Sequence, residues 1–170
     1  MATTTTDETK KITLRTADDQ QFEVEEAIAM EFVTVKTFFD ENPDAVQEPM
    51  PLPNVSAKCL SAIIEYTKKR LEFRKRGSSA DDEARTFDEE FVKARDNESL
   101  KEMILGANYL NIKDLLDMLN QAVADRIKNK SVEYVRKYFG IENDFSAEEE
   151  ARLRADNAWA FEGVDPDDDD

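Results

Sequence analysis

The clearest hydrophobic pattern along the chain predicts two consecutive helices over residues 96–130, broken at Asn111. One side of the first helix carries a continuous apolar stripe of Leu100, Met103, Ile104, Ala107 and Leu110. The opposite side carries Leu105 and Tyr109 four residues apart, although a solvent-facing side should be polar. Either a second layer of the same protein or another protein must therefore cover that side. The second helix carries a single apolar stripe of Ile112, Leu115, Leu116, Leu119, Ala122, Val123 and Ile127.

The first quarter of the chain alternates apolar and polar residues and then changes to a helical period. Alternation on both sides of turn-forming residues predicts a β-hairpin over 11–25. Helical patterns follow over 25–29 and 31–40. Three prolines limit the stretch 48–53 to a short edge strand or an extended segment, because proline cannot donate to a strand ladder.

A long helix is predicted to begin after Ser56, which is a good N-cap residue. Its apolar stripe ends near Arg74. Small and charged residues then predict a mobile loop over about 74–86. Phe87 and Phe91 stand four residues apart, which predicts a short helix that returns the chain to the core.

The last third of the sequence predicts capped helices with few apolar residues. A helix over 131–139 starts with a serine cap and ends at a glycine. Ser146 and Glu149 form a capping box for a further helix that is almost entirely charged. Trp159 and Phe161 follow that helix. A helix of this composition is marginal in water unless something docks on it.

Charge and cysteine content narrow the class of protein. The chain has 170 residues with 23 Lys and Arg against 39 Asp and Glu, a net charge of −16. Such an acidic chain repels phosphate backbones, so nucleic-acid binding is not expected. Cys59 is the single cysteine, which excludes an intramolecular disulfide. The sequence has no apolar run of membrane-spanning length and no apolar segment typical of a secretory signal at its start, so we expect a soluble intracellular protein.

The residue types needed for common catalytic sites are missing. The chain has no histidine, so Ser–His, Cys–His and His–metal arrangements are excluded. Its four glycines are too scattered for a phosphate-binding loop. Most carboxylates fall on polar helix faces rather than in buried positions that would raise a pKa. We therefore expect no catalytic residue, metal or cofactor, while an enzyme using acidic residues and a metal remains the open alternative.

Four motifs carry a resemblance to a known family. They are ILGANYLNIKDLLDM at 104–118, PLPNV at 51–55, IENDFSAEEE at 141–150 and NAWAFE at 157–162. In this order they resemble the Skp adaptor family, the small subunits of Skp–cullin–F-box (SCF) ubiquitin ligases. The last motif is similar to the ending of plant members. The resemblance covers about 11–162, nearly the whole chain.

The resemblance implies an α/β fold that is mostly helical. A BTB/POZ-like core with a small three-stranded sheet would occupy 11–110. A C-terminal helical F-box-binding region would occupy 111–162, followed by an acidic disordered tail over 163–170. The implied function is a non-catalytic adaptor that bridges an F-box substrate receptor to a cullin scaffold, in nucleus and cytoplasm. An elongin-type or self-associating POZ protein is the alternative, although neither type is expected to have the capped C-terminal helices.

The resemblance also implies which residues contact each partner. The cullin contact would include Asn108 and Tyr109. The F-box contact would include Ile104, Leu105, Leu116, Leu119, Val123, Ile127, Val135, Phe139, Ile141, Phe145, Trp159 and Phe161. Without its F-box partner, the chain is expected to self-associate and to have mobile helices beyond Ser131.

Four positions depart from the family's pattern. Lys101 stands where an aromatic residue is usual, and Val132 where proline is usual at the first helical position. Gly140 replaces an asparagine and Phe87 replaces a tryptophan. Loss of an aromatic anchor can cost on the order of 2 kcal/mol at an interface. The departures indicate a diverged paralogue in which F-box binding is affected more than the fold.

Overall fold

The structure is a computed structural model that describes residues 10–166, leaving aside the side chains of residues 46 and 47. The strands in this part of the chain are β1 (Lys11–Thr16), β2 (Gln21–Glu25) and β3 (Met50–Leu52). The helices are α1 (Glu26–Ala29), α2 (Val33–Glu41), α3 (Ala57–Arg76), α4 (Asp81–Lys93), α5 (Asn97–Leu110), α6 (Lys113–Ile127), α7 (Val132–Phe139) and α8 (Ala147–Asp156). Short 3₁₀ helices cover Pro43–Gln47, Gly77–Ala80 and Ala158–Phe161.

The three strands form one sheet in the order β2-β1-β3. β1 and β2 are the predicted antiparallel hairpin, with Ile12 opposite Val24. β3 is parallel to β1, with Leu14 opposite Met50. Because β3 lies at the edge, Pro51 is tolerated within it, as the sequence predicted. The predicted mostly helical fold with a small three-stranded sheet and C-terminal helices is confirmed.

The chain divides into two compact units, one ending at Asn120 and the other beginning at Gln121. The division falls within α6, beyond the predicted core boundary at residue 110. The first unit contains the sheet, α1 to α5 and the start of α6. Its largest fully buried side chains are Phe32, Ile12, Leu14, Leu52, Leu60, Ile63, Leu100, Leu110, Leu115, Leu119, Val35 and Val55.

Helices α3 and α5 approach each other closely at Gly106. A methyl group at Gly106 would lie 2.5 Å from Cys59 Sγ and 3.1 Å from Ile63 Cδ1. The buried Cys59 thiol donates to the carbonyl of Glu102 at 3.6 Å. Burial raises the pKa of this thiol to about 12, so it stays protonated at neutral pH. Because glycine has no side chain, Gly106 allows α3 and α5 to pack this closely.

Gly106→Ala is expected to lower the free energy of unfolding by about 1–2 kcal/mol, because the new methyl group overpacks the α3–α5 contact. Without that clash, alanine in a helix would be favoured over glycine by about 1 kcal/mol. Chemical denaturation of Gly106→Ala, Cys59→Ala and the double variant separates the two effects. The cost should disappear when Cys59 is also alanine. An equal cost in both backgrounds would contradict the assigned contact.

The segment predicted as a mobile loop over 74–86 is helical, so that prediction was wrong. α3 continues to Arg76, a 3₁₀ helix follows, and α4 begins at Asp81. Ala80 and Ala84 are buried, so the small residues mark close packing. The acidic residues that begin α4 also favour a helix start, because they complement the positive end of the helix dipole.

The predicted return of the chain to the core at Phe87 and Phe91 is confirmed. Both residues lie in α4, and their ring centroids are 5.6 Å apart. Phe91 is buried against Tyr66 of α3, with the ring centroids 5.0 Å apart. These contacts pack α4 on α3 within the first unit.

The second unit has a small core and well-capped helices. Its buried apolar side chains are Ala122, Val123, Tyr134 and Tyr138. Ser131 Oγ accepts from the Tyr134 amide at 2.9 Å, and Gly140 ends α7 with a left-handed φ of 65°. Both predicted caps of α7 are therefore confirmed.

The residues after the last 3₁₀ helix bond back to the turn between α6 and α7. Asn129 Nδ2 donates to the Gly163 carbonyl at 2.9 Å, and the Asp165 amide donates to the Asn129 carbonyl at 2.9 Å. Lys130 Nζ donates to the Pro166 carbonyl at 2.9 Å. Residues 163–166 of the predicted disordered tail are therefore held in place, and 167–170 lie outside the described residues.

Candidate protein-interaction surfaces

The outer side of α5 presents Leu105, whose side chain is 68% exposed. Asn108, also on this side, is exposed, and Tyr109 is half-buried. The Thr34 hydroxyl donates to the Tyr109 carbonyl at 2.6 Å, which ties the end of α5 to α2. Of the two sequence-based explanations for Leu105, cover by the chain's own second layer is therefore wrong, and cover by another protein stays a prediction.

Tyr109 lines an open groove of about 470 Å³ in the first unit. The groove's lining residues are Val33, Thr34, Thr37, Phe38, Glu41, Met50, Pro51, Tyr109 and Asn111. Val33 is 44% exposed although it is apolar. The sequence reading did not include Val33 or Phe38 in a partner contact. Their signal was two pairs of adjacent apolar residues, at 32–33 and 38–39, which are wider than the buried side of one helix.

The predicted F-box residues on α5 and α6 differ in exposure. Leu119 is fully buried and Val123 is almost so. These two side chains belong to the core of the chain, and their assignment as F-box contacts stays a prediction. Ile104, Leu116 and Ile127 remain partly exposed. A helical stripe read from sequence cannot separate these groups, since both share the same side of the helix.

The second unit exposes many large apolar side chains for its size. They are Val132, Phe139, Ile141, Phe145, Leu153 and Trp159. Trp159 is 75% exposed, in the short 3₁₀ helix after α8. Four of these six side chains were predicted as F-box contacts, whereas Val132 and Leu153 were not. The sequence signal for Leu153 was a single leucine in a helix of alanines and charged residues.

Two other predicted F-box contacts in this unit, Val135 and Phe161, are half-buried. Phe161 lies under a charged group, with the guanidinium carbon of Arg154 5.0 Å from its ring centroid. This cation–π contact holds the ring near α8 without burying it in an apolar core.

α8 is held by polar interactions, and none of its side chains is buried. The predicted capping box is confirmed: the Ser146 amide donates to Glu149 Oε2 at 2.9 Å, and Ser146 Oγ accepts from the Glu149 amide at 3.3 Å. Hydrogen bonds to the Glu149 carboxylate from the Ser146 amide and from the Ser146 hydroxyl, the latter at 2.8 Å, lower its pKa. Hydrogen bonds from Asn143, Arg154 and Arg136 lower the pKa of Glu150 to about 2.

The described residues also limit the chemistry available. Between residues 10 and 166, no three His, Cys, Asp or Glu side chains are grouped so that they could hold a metal ion. None of the helices described there is long and apolar enough to cross a membrane. Exposed apolar patches on a folded chain typically mark protein-binding sites.

The fold and the surfaces define a protein-interaction module with a BTB/POZ-like core and C-terminal helices. Comparison with known proteins identifies it further. Residues 10–72 match the Skp1 family tetramerisation domain, and residues 113–160 match the Skp1 family dimerisation domain. The chain belongs to the Skp1 family, as the motif resemblance predicted.

Plant proteins are similar along almost their whole length. SKP1-like protein 14 of Arabidopsis thaliana is 47% identical over 152 residues, covering 89% of this chain and 97% of that protein. SKP1-like protein 20 of Oryza sativa subsp. japonica is 47% identical over 168 residues, covering 89% and 94%. SKP1-like protein 1A of Arabidopsis thaliana is 44% identical over 160 residues, covering 90% and 98%. This similarity supports a plant-like adaptor role in SCF ubiquitin ligases and fits a non-catalytic protein.

Proposed function

We propose that this protein bridges an F-box substrate receptor to a cullin scaffold in an SCF ubiquitin ligase. The observation that carries the proposal is the large apolar surface left uncovered by the free chain, above all at Leu105 and Trp159. Monomeric soluble proteins rarely leave such side chains exposed in number unless a partner covers them. Membership of the Skp1 family supports an F-box receptor and a cullin as those partners.

The F-box receptor is the proposed partner of the exposed apolar residues in the second unit. Full burial of a large apolar side chain contributes about 1.5–3 kcal/mol, so a few such residues can support stable binding. Part of this gain offsets the lost motion of both partners. The partner segment should be an amphipathic helical segment, because exposed helical side chains typically accept apolar anchors at helical spacing.

The cullin is the proposed partner of the groove beside Tyr109. Its wall combines apolar side chains of α2, such as Val33 and Phe38, with the edge strand β3. Asn108, exposed one residue before Tyr109, is proposed to add polar contacts at the rim. A groove with an apolar wall and a polar rim suits a helical segment of a scaffold protein.

The proposed mechanism involves no chemistry by the adaptor itself. Holding a receptor and a scaffold together raises the effective concentration of the receptor's substrate near the ubiquitin-transferring enzyme. We also propose, from the family resemblance, that the protein acts in the nucleus and the cytoplasm. Imaging of a fluorescent fusion tests this location, and exclusive residence in another compartment would contradict it.

Co-expression with a tagged F-box fragment and an N-terminal cullin fragment tests the bridge. Capture through the F-box tag should retain the cullin fragment only when the adaptor is present. Recovery of only the adaptor with the F-box fragment, or only the adaptor with the cullin fragment, and never all three together, would contradict bridging. Homodimers that never bind the F-box fragment would instead favour the self-associating POZ alternative. A rise in melting temperature with magnesium or calcium would favour the metal-dependent enzyme.

The free chain is also expected to self-associate through the apolar surface that the F-box partner would cover. Sedimentation analysis should show oligomers that grow with concentration and dissolve when the F-box fragment is added. Oligomers that persist in the presence of the fragment would contradict the shared surface.

A further inference from the structure

Charged side chains connect α8 to α7. Four residues form an alternating network, here called the charge clamp: Glu133 and Arg136 of α7, and Glu150 and Arg154 of α8. Glu150 Oε1 accepts from Arg136 Nη1 at 3.2 Å and from Arg154 Nη2 at 3.0 Å. Arg154 Nη2 also donates to Glu133. No α8 side chain is buried, and these ionic contacts link the two helices.

Glu150 is the centre of the charge clamp. Besides the two arginines, it accepts from Asn143 Nδ2 at 2.8 Å. The Glu150 side chain is 24% exposed and that of Arg136 19% exposed, so the pair is more shielded than an ordinary surface ion pair. An isolated surface ion pair contributes little to stability, but a carboxylate with three partners is not isolated.

The partners of Glu150 also hold the aromatic residues on both sides of α8. Asn143 Oδ1 accepts from the Phe145 amide at 3.2 Å, before the helix starts. Arg154 covers the ring of Phe161 after the helix ends. The same groups that bind Glu150 thus set where two predicted F-box contacts lie.

We propose that Glu150 is a positioning residue for receptor binding: through the charge clamp it holds α8, Phe145 and Phe161 in the arrangement that an F-box segment binds, without touching that segment. This inference rests on the proposed function. A binding-competent arrangement that is only partly populated reduces apparent affinity by that fraction. The clamp would therefore act on affinity by keeping the competent arrangement populated before the partner arrives.

The charge clamp should respond to salt much more than to pH. The folded-state pKa of Glu150 is lowered from 4.5 to about 2 by its hydrogen-bond partners. A group with a lowered pKa contributes its stabilisation above the unfolded value and loses it as pH falls through the folded value. The clamp should stay intact from pH 7 to about 5. Screening of partly exposed charges by salt should weaken it at any pH.

Glu150→Gln removes the charge while keeping the side chain's size. Hydrogen exchange of the free chain should show faster exchange in α8, with α3 and α5 unchanged. Affinity for an F-box fragment should fall about tenfold if the competent arrangement falls to about a tenth of molecules. This difference between parent and variant should shrink at about 1 M salt, where the Debye length is about 3 Å. Glu148→Gln is the matched control, because Glu148 is exposed in the same turn.

A second variant separates positioning from direct contact. Arg136→Gln should reproduce the loss, and the Arg136→Gln/Glu150→Gln double variant should lose little more, because both residues belong to one network. Faster exchange with unchanged affinity, or lower affinity with unchanged exchange, would overturn the positioning role. Equal effects of Glu148→Gln and Glu150→Gln on exchange and affinity would also overturn the positioning role. If the parent chain binds no F-box fragment, the proposed function is wrong. If the parent chain binds the fragment and Glu150→Gln binds it equally well, only the positioning role of Glu150 is wrong.

Discussion

Trp159→Ala is expected to weaken binding of an F-box fragment by about 2 kcal/mol or more, roughly 30-fold in affinity. Trp159 is 75% exposed in the free chain, so most of its surface is available to a partner. Tryptophan is enriched among residues that dominate binding energy, because one side chain buries a large apolar area. Titration calorimetry with an F-box fragment measures the loss.

The same substitution should leave the unfolding free energy of the chain nearly unchanged, because the tryptophan packs on little in the free protein. Ala160→Ser is a suitable control, since Ala160 is an exposed neighbour in the same 3₁₀ helix. Truncation after residue 156 would be a less clean test, because it also removes the bonds between residues 163–166 and the α6–α7 turn. Equal affinities of Trp159→Ala and the parent chain would show that the tryptophan does not contribute to F-box binding.

Tyr109→Lys is expected to weaken binding of a cullin N-terminal fragment by about 2 kcal/mol or more and to spare F-box binding. The tyrosine ring lines a groove whose other walls include Val33 and Phe38. A lysine ammonium would lose hydration there on binding without a prepared partner. The bond from Thr34 reaches the Tyr109 main chain, so it survives the substitution. Calorimetry with each fragment separately measures both affinities.

Tyr109→Phe is the matched control for the cullin contact. It keeps the ring and removes only the hydroxyl, so most of the affinity should remain. Unchanged cullin affinity in Tyr109→Lys would remove the groove from the cullin contact. A parallel loss of F-box affinity would instead indicate that the lysine disturbs the chain as a whole.

The features best predicted from sequence are those made by residues close together along the chain. The capping box of Ser146 and Glu149 and the glycine end of α7 depend on contacts over three to five positions. The hairpin follows from alternation and a short turn. The sequence also placed Leu105 and Tyr109 opposite the main apolar stripe of α5, because they break its regular period, but it left open what covers them.

What tertiary structure alone decided is which side chains are covered. Leu119 and Leu116 lie on one predicted stripe, yet the first is fully buried and the second is partly exposed. Residues 74–86 have a composition typical of a loop, but burial of Ala80 and Ala84 favours a helix there.

The charge clamp joins Glu133 to Arg154 across 21 positions, and nothing local in the sequence indicates that pairing. By itself, the sequence determined the hairpin, most of the helices and their caps, and that apolar residues exceed what one core needs. Burial and ion pairing depend on which elements come together in space. Those outcomes follow from the packing of the whole chain rather than from any one segment.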